Sequence, residues 1–75
     1  MNDLQIEYFL AAARNMSFSK AAQELFVSQP AISRQILALE QELGCPLFER
    51  LNRGIVLTAN GEMIFLSGIG RNCQI

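Results

Sequence analysis

Apolar side chains recur at helical spacing between residues 17 and 44 of the chain. The first stripe has its members at i, i+3, i+4 and i+7: Phe18, Ala21, Ala22 and Leu25. The second stripe has steps of four, three and four: Ile32, Ile36, Leu39 and Leu43. Each stripe lines one face of a helix. Because only a few residues separate them, the pattern predicts two helices joined by a tight turn.

Capping residues mark where these two helices begin and end. Ser17 or Ser19 can cap the first helix, and Ser28 can cap the second, since a serine oxygen accepts from N–H groups left unpaired at a helix start. Pro30 is tolerated in a first turn, and Gly44 can close the second helix. Small and polar groups lie opposite the apolar stripe at the start of the second helix: Pro30, Ser33 and Arg34, flanked by Gln29. This arrangement is typical of a helix-turn-helix that reads DNA.

A further helix is predicted before this motif. Asn2 or Asp3 can cap it, and it would run to about Arg14. Asn15 suits the left-handed backbone that ends a helix. Its inner face is predicted to hold Ile6, Phe9, Leu10 and Ala13, which leaves Tyr8 partly exposed.

Two β-prone runs follow the motif, at residues 47–51 and 55–58. Asn52, Arg53 and Gly54 separate them and favour a hairpin, which in this position would be a wing. Thr58 is predicted to cap a fourth helix. The fold class is therefore mainly α: a winged helix-turn-helix with a three-helix core, a two-stranded β wing and the start of a linker helix. The predicted core consists of Phe9, Phe18, Ala22, Leu25, Ile32, Ile36, Leu39, Leu47 and Phe48.

The composition of the chain argues against several classes of function. A chain of 75 residues with 51% hydrophobic side chains forms one small domain. No apolar run approaches the roughly 20 residues that span a bilayer, and the acidic N-terminus differs from a secretory leader, so no membrane association and a cytoplasmic location are expected.

The chain has no histidine and two cysteines, Cys45 and Cys73, so neither a metal nor a cofactor is expected. With no nucleophile–base pair or phosphate loop, we do not expect an enzyme.

Charge is distributed unevenly along the chain. The net charge of −1 argues against indiscriminate binding to a polyanion. Carboxylates lie on the first helix and at the far end of the third. The cations gather near the two motif helix starts and on the wing: Lys20, Arg34, Arg50 and Arg53. These positions suit a phosphate backbone, with modest affinity for a single copy.

A close resemblance to the N-terminal DNA-binding domain of LysR-type transcriptional regulators of bacteria extends from about residue 4 to residue 61. It includes the run SFSKAAQELFVSQPAISRQILALEQELGCPLFERLNRGIVLTANG. The resemblance implies a winged helix-turn-helix that binds double-stranded promoter DNA as part of a dimer or tetramer. It also implies that the fourth helix is a linker that pairs two subunits and leads to a separate effector-sensing domain.

The end of the chain departs from that family pattern. Residues 1–58 are predicted to form the DNA-binding domain, residues 59–67 a shortened linker helix, and residues 68–75 a flexible tail. The ending SGIGRNCQI is unlike the family. We therefore expect no small-molecule effector site in this chain, and a homodimer that the short linker helix weakens.

The strongest candidates for reading bases are Gln29 and Arg34, since Gln can pair with adenine and Arg with guanine. Ser33 can donate to phosphate or to a base, and Pro30 and Ala31 suit apolar contact with a thymine methyl. For Leu37 two interpretations remain open, a DNA contact or partial burial beneath the wing.

A second group of candidates would contact phosphates. Ser17, Ser19 and Lys20 lie at a helix start, where free N–H groups and the helix dipole favour an anion. Arg53 at the hairpin tip suits phosphate or the minor groove, while Arg50 would bind phosphate or pair with a carboxylate. Glu40 is expected to be a structural partner or a solvated group rather than a base reader. The DNA-binding candidates together are Ser17, Ser19, Lys20, Ser28, Gln29, Pro30, Ala31, Ser33, Arg34, Leu37, Arg50 and Arg53.

The predicted function is sequence-specific DNA binding by a bacterial transcriptional regulator, with residues 29–43 in the major groove. Such a protein would lie in the cytoplasm, associated with the nucleoid. The alternative is a protein-interaction module that uses its apolar fourth helix to pair with, or antagonise, another regulator.

Overall fold

The computed structural model describes residues 2–52 and 54–67, the last of them by its backbone alone. The described residues form four helices and one antiparallel pair of strands, in the order α1 Asp3–Asn15, α2 Phe18–Leu25, α3 Gln29–Leu43, β1 Phe48–Leu51, β2 Gly54–Leu57 and α4 Ala59–Ser67. This is the predicted winged helix-turn-helix. The strands start and end within one residue of the predicted runs. Residues 68–75, predicted to be flexible, lie outside the described part of the chain.

Helix α1 begins as predicted but ends differently. Asn2 and Gln5 cap it reciprocally: Asn2 Oδ1 accepts from Gln5 N at 2.8 Å, and Gln5 Oε1 accepts from Asn2 N at 3.3 Å. The left-handed residue at the C-terminus is Met16, with φ of 51°, so the assignment of that role to Asn15 is wrong. Asn15 stays helical, and its side chain donates to the Ala11 carbonyl at 2.8 Å.

The buried face of α1 is wider than a single stripe. Tyr8 is only 8% exposed, which contradicts the prediction that it is partly exposed, whereas Ile6 and Leu10 are only partly buried. The reason is that α1 packs against both α2 and α3. Two neighbouring helices cover more of the α1 surface than one apolar stripe can indicate.

The core contains eight of the nine predicted residues and six others: Tyr8, Ala11, Ala12, Ala13, Ala21 and Ile55. Leu25 is partly buried and packs against the core, while the other eight predicted residues are buried. Phe48 joins the wing to this core, because its ring centroid lies 5.5 Å from that of Phe9 and 5.6 Å from that of Phe18. Phe65 of α4 contacts Phe9 edge-on at 6.3 Å. Aromatic packing therefore fixes the wing and α4 to the three-helix core.

An exposed polar cluster joins α1 to α2. Glu24 accepts from Asn15 Nδ2 at 2.8 Å and forms a salt bridge with Arg14. Two hydrogen bonds lower the pKa of the Glu24 carboxyl; the one from Asn15 has the larger effect and the one from Arg14 the smaller. The stability that this cluster adds is therefore fully present above the ordinary pKa of a glutamate. It is lost as the pH falls from that value through the lowered pKa of Glu24. Solvent exposure keeps the contribution small.

Glu40 anchors the start of the wing to α3, which is the structural one of its two expected roles. Its Oε2 accepts from Leu47 N at 2.8 Å and from Phe48 N at 3.1 Å. The Leu47 N–H lies one residue before β1, and the Phe48 N–H belongs to the first residue of β1. At this point the strand pairing does not supply both acceptors. One carboxylate thus fixes the position of the wing relative to α3.

Replacing Glu40 by alanine is expected to lower the free energy of unfolding by about 1–2 kcal/mol, because two half-buried N–H groups lose their acceptor. Urea denaturation followed by circular dichroism measures the change. Glu40→Gln keeps an oxygen acceptor and should lose less. Equal stability of Glu40→Ala and the unmodified protein would show that water replaces the carboxylate at no cost.

Candidate nucleic-acid interface

The starts of α2 and α3 are both capped by serine. Ser17 Oγ accepts from Lys20 N at 3.1 Å, and Ser28 Oγ accepts from Ala31 N at 3.2 Å. Ser17 therefore caps α2, which decides between the two predicted serines, and Ser19 is an exposed residue of the first turn. Pro30 occupies the first turn of α3 as predicted.

The outward face of α3 is free of contacts with the domain's own core. Four of the exposed residues of this helix follow one another at i, i+4, i+7 and i+11: Pro30, Arg34, Leu37 and Gln41. The buried residues of the same helix, Ile32, Ile36 and Leu39, lie on the opposite side. Leu37 is 51% exposed, so its predicted alternative position beneath the wing is wrong. We call Pro30, Arg34, Leu37 and Gln41 the outward stripe.

Ser33 and Ala31 lie at the edges of this stripe and are half-buried, whereas Gln29 is exposed. By helical phase Gln29 turns away from the outward stripe, toward the wing and the start of α2. The structure therefore separates the two predicted base readers, with Arg34 on the stripe and Gln29 beside it.

Arg50 connects the wing to both motif helices. From β1 its Nη2 donates to Ser33 Oγ at 3.3 Å, and its guanidinium lies 5.0 Å from the centroid of the Phe18 ring. Arg50 was predicted either to bind phosphate or to pair with a carboxylate. Among the described residues, it contacts Ser33 and Phe18 instead of a carboxylate. Neither contact could be predicted from the sequence, because they join residues 17 and 32 positions apart.

A shallow depression of about 340 Å³ lies between the starts of α2 and α3 and the wing. It brings together four of the predicted site residues, Ser17, Ser19, Gln29 and Arg50. Its other lining residues are Phe18, Leu51, Gly54 and Ile55. Neither α2 nor α3 has an acidic residue in its first turn. The depression is thus polar and cationic at one edge of the outward stripe.

Of two predicted phosphate contacts, Lys20 and Arg53, the structure describes only the first. Lys20 is exposed in the first turn of α2, next to the depression. Arg53, predicted to lie at the hairpin tip, falls outside the described residues. The described part of the chain contains no group of three His, Cys, Asp or Glu residues that could hold a metal ion, and none of its helices is long and apolar enough to cross a membrane.

Several proteins of known role resemble this chain. The HTH-type transcriptional regulator BudR of Klebsiella aerogenes is 50% identical over 60 residues, which are 80% of this chain and 42% of BudR. The glycine cleavage system transcriptional activator of Escherichia coli K12 is 52% identical over 66 residues, which are 88% of this chain and 21% of the activator. The chain therefore spans less than half the length of these relatives, both of which are named as transcriptional regulators.

Solved structures with the same fold include complexes with DNA. The CbnR DNA-binding domain bound to DNA matches with a TM-score of 0.84 and 48% identity, over 87% of this chain and 75% of that one. The BenM DNA-binding domain bound to catB site 1 DNA matches with a TM-score of 0.83 and 42% identity, over 87% and 73% of the two chains.

A family model agrees with both comparisons. The model of the bacterial regulatory helix-turn-helix proteins of the LysR family matches residues 4–62. This match includes the three-helix core, the wing and the first turn of α4. The chain belongs to the LysR family of bacterial regulatory helix-turn-helix proteins.

Proposed function

We propose that this domain binds double-stranded DNA in a sequence-specific manner and serves a bacterial transcriptional regulator. The observation that carries the proposal is the outward stripe of α3, which the fold exposes and does not use for its own packing. An α-helix fits the major groove, where every base pair presents a different pattern of donors and acceptors. The CbnR and BenM domains, which share this fold, have been solved bound to DNA.

The base readers in this proposal lie in the first two turns of α3. Arg34 can donate two hydrogen bonds to O6 and N7 of guanine, and Gln29 can pair with N6 and N7 of adenine. Pro30 and Ala31 offer apolar surface to a thymine methyl. Ser33 already accepts a hydrogen bond from Arg50 and keeps its own O–H to donate to a base or a phosphate.

The phosphate contacts surround these base readers. Ser17, Ser19 and Lys20 lie at the start of α2, where the helix dipole favours an anion. Ser28 offers the same at the start of α3, and Arg53, which the sequence predicts to lie at the hairpin tip, would add a further phosphate contact. Arg50 contributes through the positive edge of the depression. Such contacts position the domain on the duplex without selecting sequence.

A phosphate contact is expected to show in the salt dependence of binding. Lys20→Ala should weaken binding to matched and scrambled duplexes alike and reduce the slope of log K against log salt by about 1. Arg53→Ala should behave in the same way. Fluorescence anisotropy over a series of salt concentrations measures the slope. A loss confined to the matched duplex would instead make either residue a base reader.

Selection from a random pool of duplexes tests the proposed function itself. The 75-residue chain is mixed with the pool at low salt, and the bound duplexes are recovered and sequenced. We expect enrichment of one half-site, or of two half-sites about one helical turn or more apart. If the recovered pool stays random while the chain is folded, the proposal fails.

Assembly is proposed to involve α4. Met63 is 62% exposed and Leu66 79% exposed, while Ile64 and Phe65 of the same helix pack against the core. An apolar pair of this kind suits pairing with a second copy in a homodimer. Pairing with a subunit of another regulator is the alternative role that the same exposed residues favour.

Sedimentation at high concentration is expected to show reversible self-association of the chain. Leu66→Glu should suppress it, because a carboxylate at the contact would have to be buried. Leu51→Glu, at an exposed leucine of the wing, serves as the control and should associate normally. A purely monomeric protein at every concentration would contradict the homodimer.

The proposed role is regulatory and not catalytic, and promoter DNA would place the protein in the bacterial cytoplasm, on the nucleoid. No cofactor enters this proposal. In this proposal, sequence selection depends on side chains of α3.

A further inference from the structure

Leu37 is a large apolar side chain on the one face of α3 that the domain leaves open. It is 51% exposed, and it lies in the outward stripe between Arg34, three residues before it, and Gln41, four residues after it. Exposing a leucine to water forgoes the stabilisation that burial would give. The domain's own packing therefore offers no reason for an apolar residue at this position.

The neighbours of Leu37 indicate what covers it. An isolated leucine flanked by Arg and Gln is unlike the apolar cluster at the centre of a protein–protein contact. Arg34 is the charged member of the outward stripe, and the stripe contains no carboxylate, so the charge of this face complements a polyanion. On the floor of the major groove, the apolar group among the base edges is the 5-methyl of thymine.

We infer that Leu37 is a specificity-determining residue that packs against the 5-methyl group of a thymine. This inference rests on the proposed function and adds to it a base preference set by an apolar contact. Three residues along a helix advance about 4.5 Å, which is close to one base-pair step. The thymine read by Leu37 therefore lies next to, or one step beyond, the guanine read by Arg34. A half-site for this protein contains both bases at that spacing.

Deoxyuridine tests the inference, because it differs from thymidine only in lacking the 5-methyl group. Each thymine of the duplex selected by the 75-residue chain is replaced in turn by deoxyuridine, and affinities are measured by fluorescence anisotropy. For at least one thymine in each half-site, the replacement should weaken binding of the unmodified protein by about four-fold, the value for one buried methyl-sized group. Leu37→Ala should bind the thymine duplex more weakly and should show no difference between thymine and uracil at that position.

Two further variants control the comparison. Leu4→Ala removes a leucine of similar exposure, 44%, from α1, and it should keep the full dependence on the methyl group. Leu37→Gln offers an amide in place of the apolar contact and should shift the preference at that position from thymine toward adenine. Circular dichroism confirms that each variant is folded.

The outcomes separate the inference from the proposed function. If the chain selects a sequence but no uracil replacement weakens binding, the inference is wrong and the proposed function stands. If Leu37→Ala keeps the same dependence on every methyl, another residue reads it and the inference is equally wrong. If no duplex is selected at all, the proposed function fails and the inference fails with it.

Discussion

Gly61→Ala is expected to destabilise the domain by roughly 2–3 kcal/mol, a large change for so small a protein. A Cβ at position 61 would lie 2.2 Å from the Leu47 carbonyl oxygen and 2.9 Å from Leu57 Cδ2. The Leu47 backbone cannot easily move away, since its carbonyl accepts from Thr58 N at 3.0 Å and its N–H donates to Glu40. The helix α4 would have to shift away from the wing.

Helix propensity opposes this effect but is smaller. Alanine favours a helix interior over glycine by about 1 kcal/mol, which the steric overlap exceeds. Urea denaturation of the two proteins measures the difference. Asn60→Ala, at an exposed position of the same turn, is the matched control and should cost nothing. If Gly61→Ala were as stable as the unmodified protein, the close contact between α4 and Leu47 would be absent in solution.

Arg34→Ala is expected to weaken binding to the selected duplex by roughly 1–3 kcal/mol, or about 5- to 150-fold, and to relax the preference at one base position. The reason is the loss of two hydrogen bonds to a single guanine. Binding to a scrambled duplex should fall much less, because there Arg34 has no fixed base partner. Competition between the two duplexes measures both losses.

The control for Arg34 is another arginine outside the interface. Arg14 is about half exposed on α1 and pairs with Glu24, so Arg14→Ala removes the same charge without removing a base contact. It should leave the ratio of the two affinities unchanged. Equal losses on the matched and scrambled duplexes for Arg34→Ala would make Arg34 a phosphate contact.

Local features of the fold were predictable from the sequence because they depend on residues one helical turn apart. The caps at Asn2, Ser28 and Thr58 and the left-handed Gly44 all depend on such short-range contacts. The two apolar stripes gave the register of α2 and α3. The exposure of Arg34 follows from the same register, which is why its outward position could be predicted.

Features that depend on contacts between distant elements were not predictable. Tyr8 is buried because two helices cover α1, and the left-handed residue that follows α1 is Met16 rather than Asn15. Gly61 is needed because α4 approaches Leu47 closely. The sequence around Gly61 indicates only a weak helix start and not this contact. The contact between Arg50 and Ser33 likewise depends on where the wing folds back, and a single sequence contains no record of that position.

The central claim, that α3 reads sequence in the major groove, is tested most directly by methylating guanines of the selected duplex at N7. This atom faces the major groove and is one of the two acceptors proposed for Arg34. We expect methylation of one guanine per half-site to block binding of the unmodified protein and to have little further effect on Arg34→Ala. Binding that tolerates N7 methylation at every guanine, with the sequence preference intact, would contradict major-groove reading by Arg34.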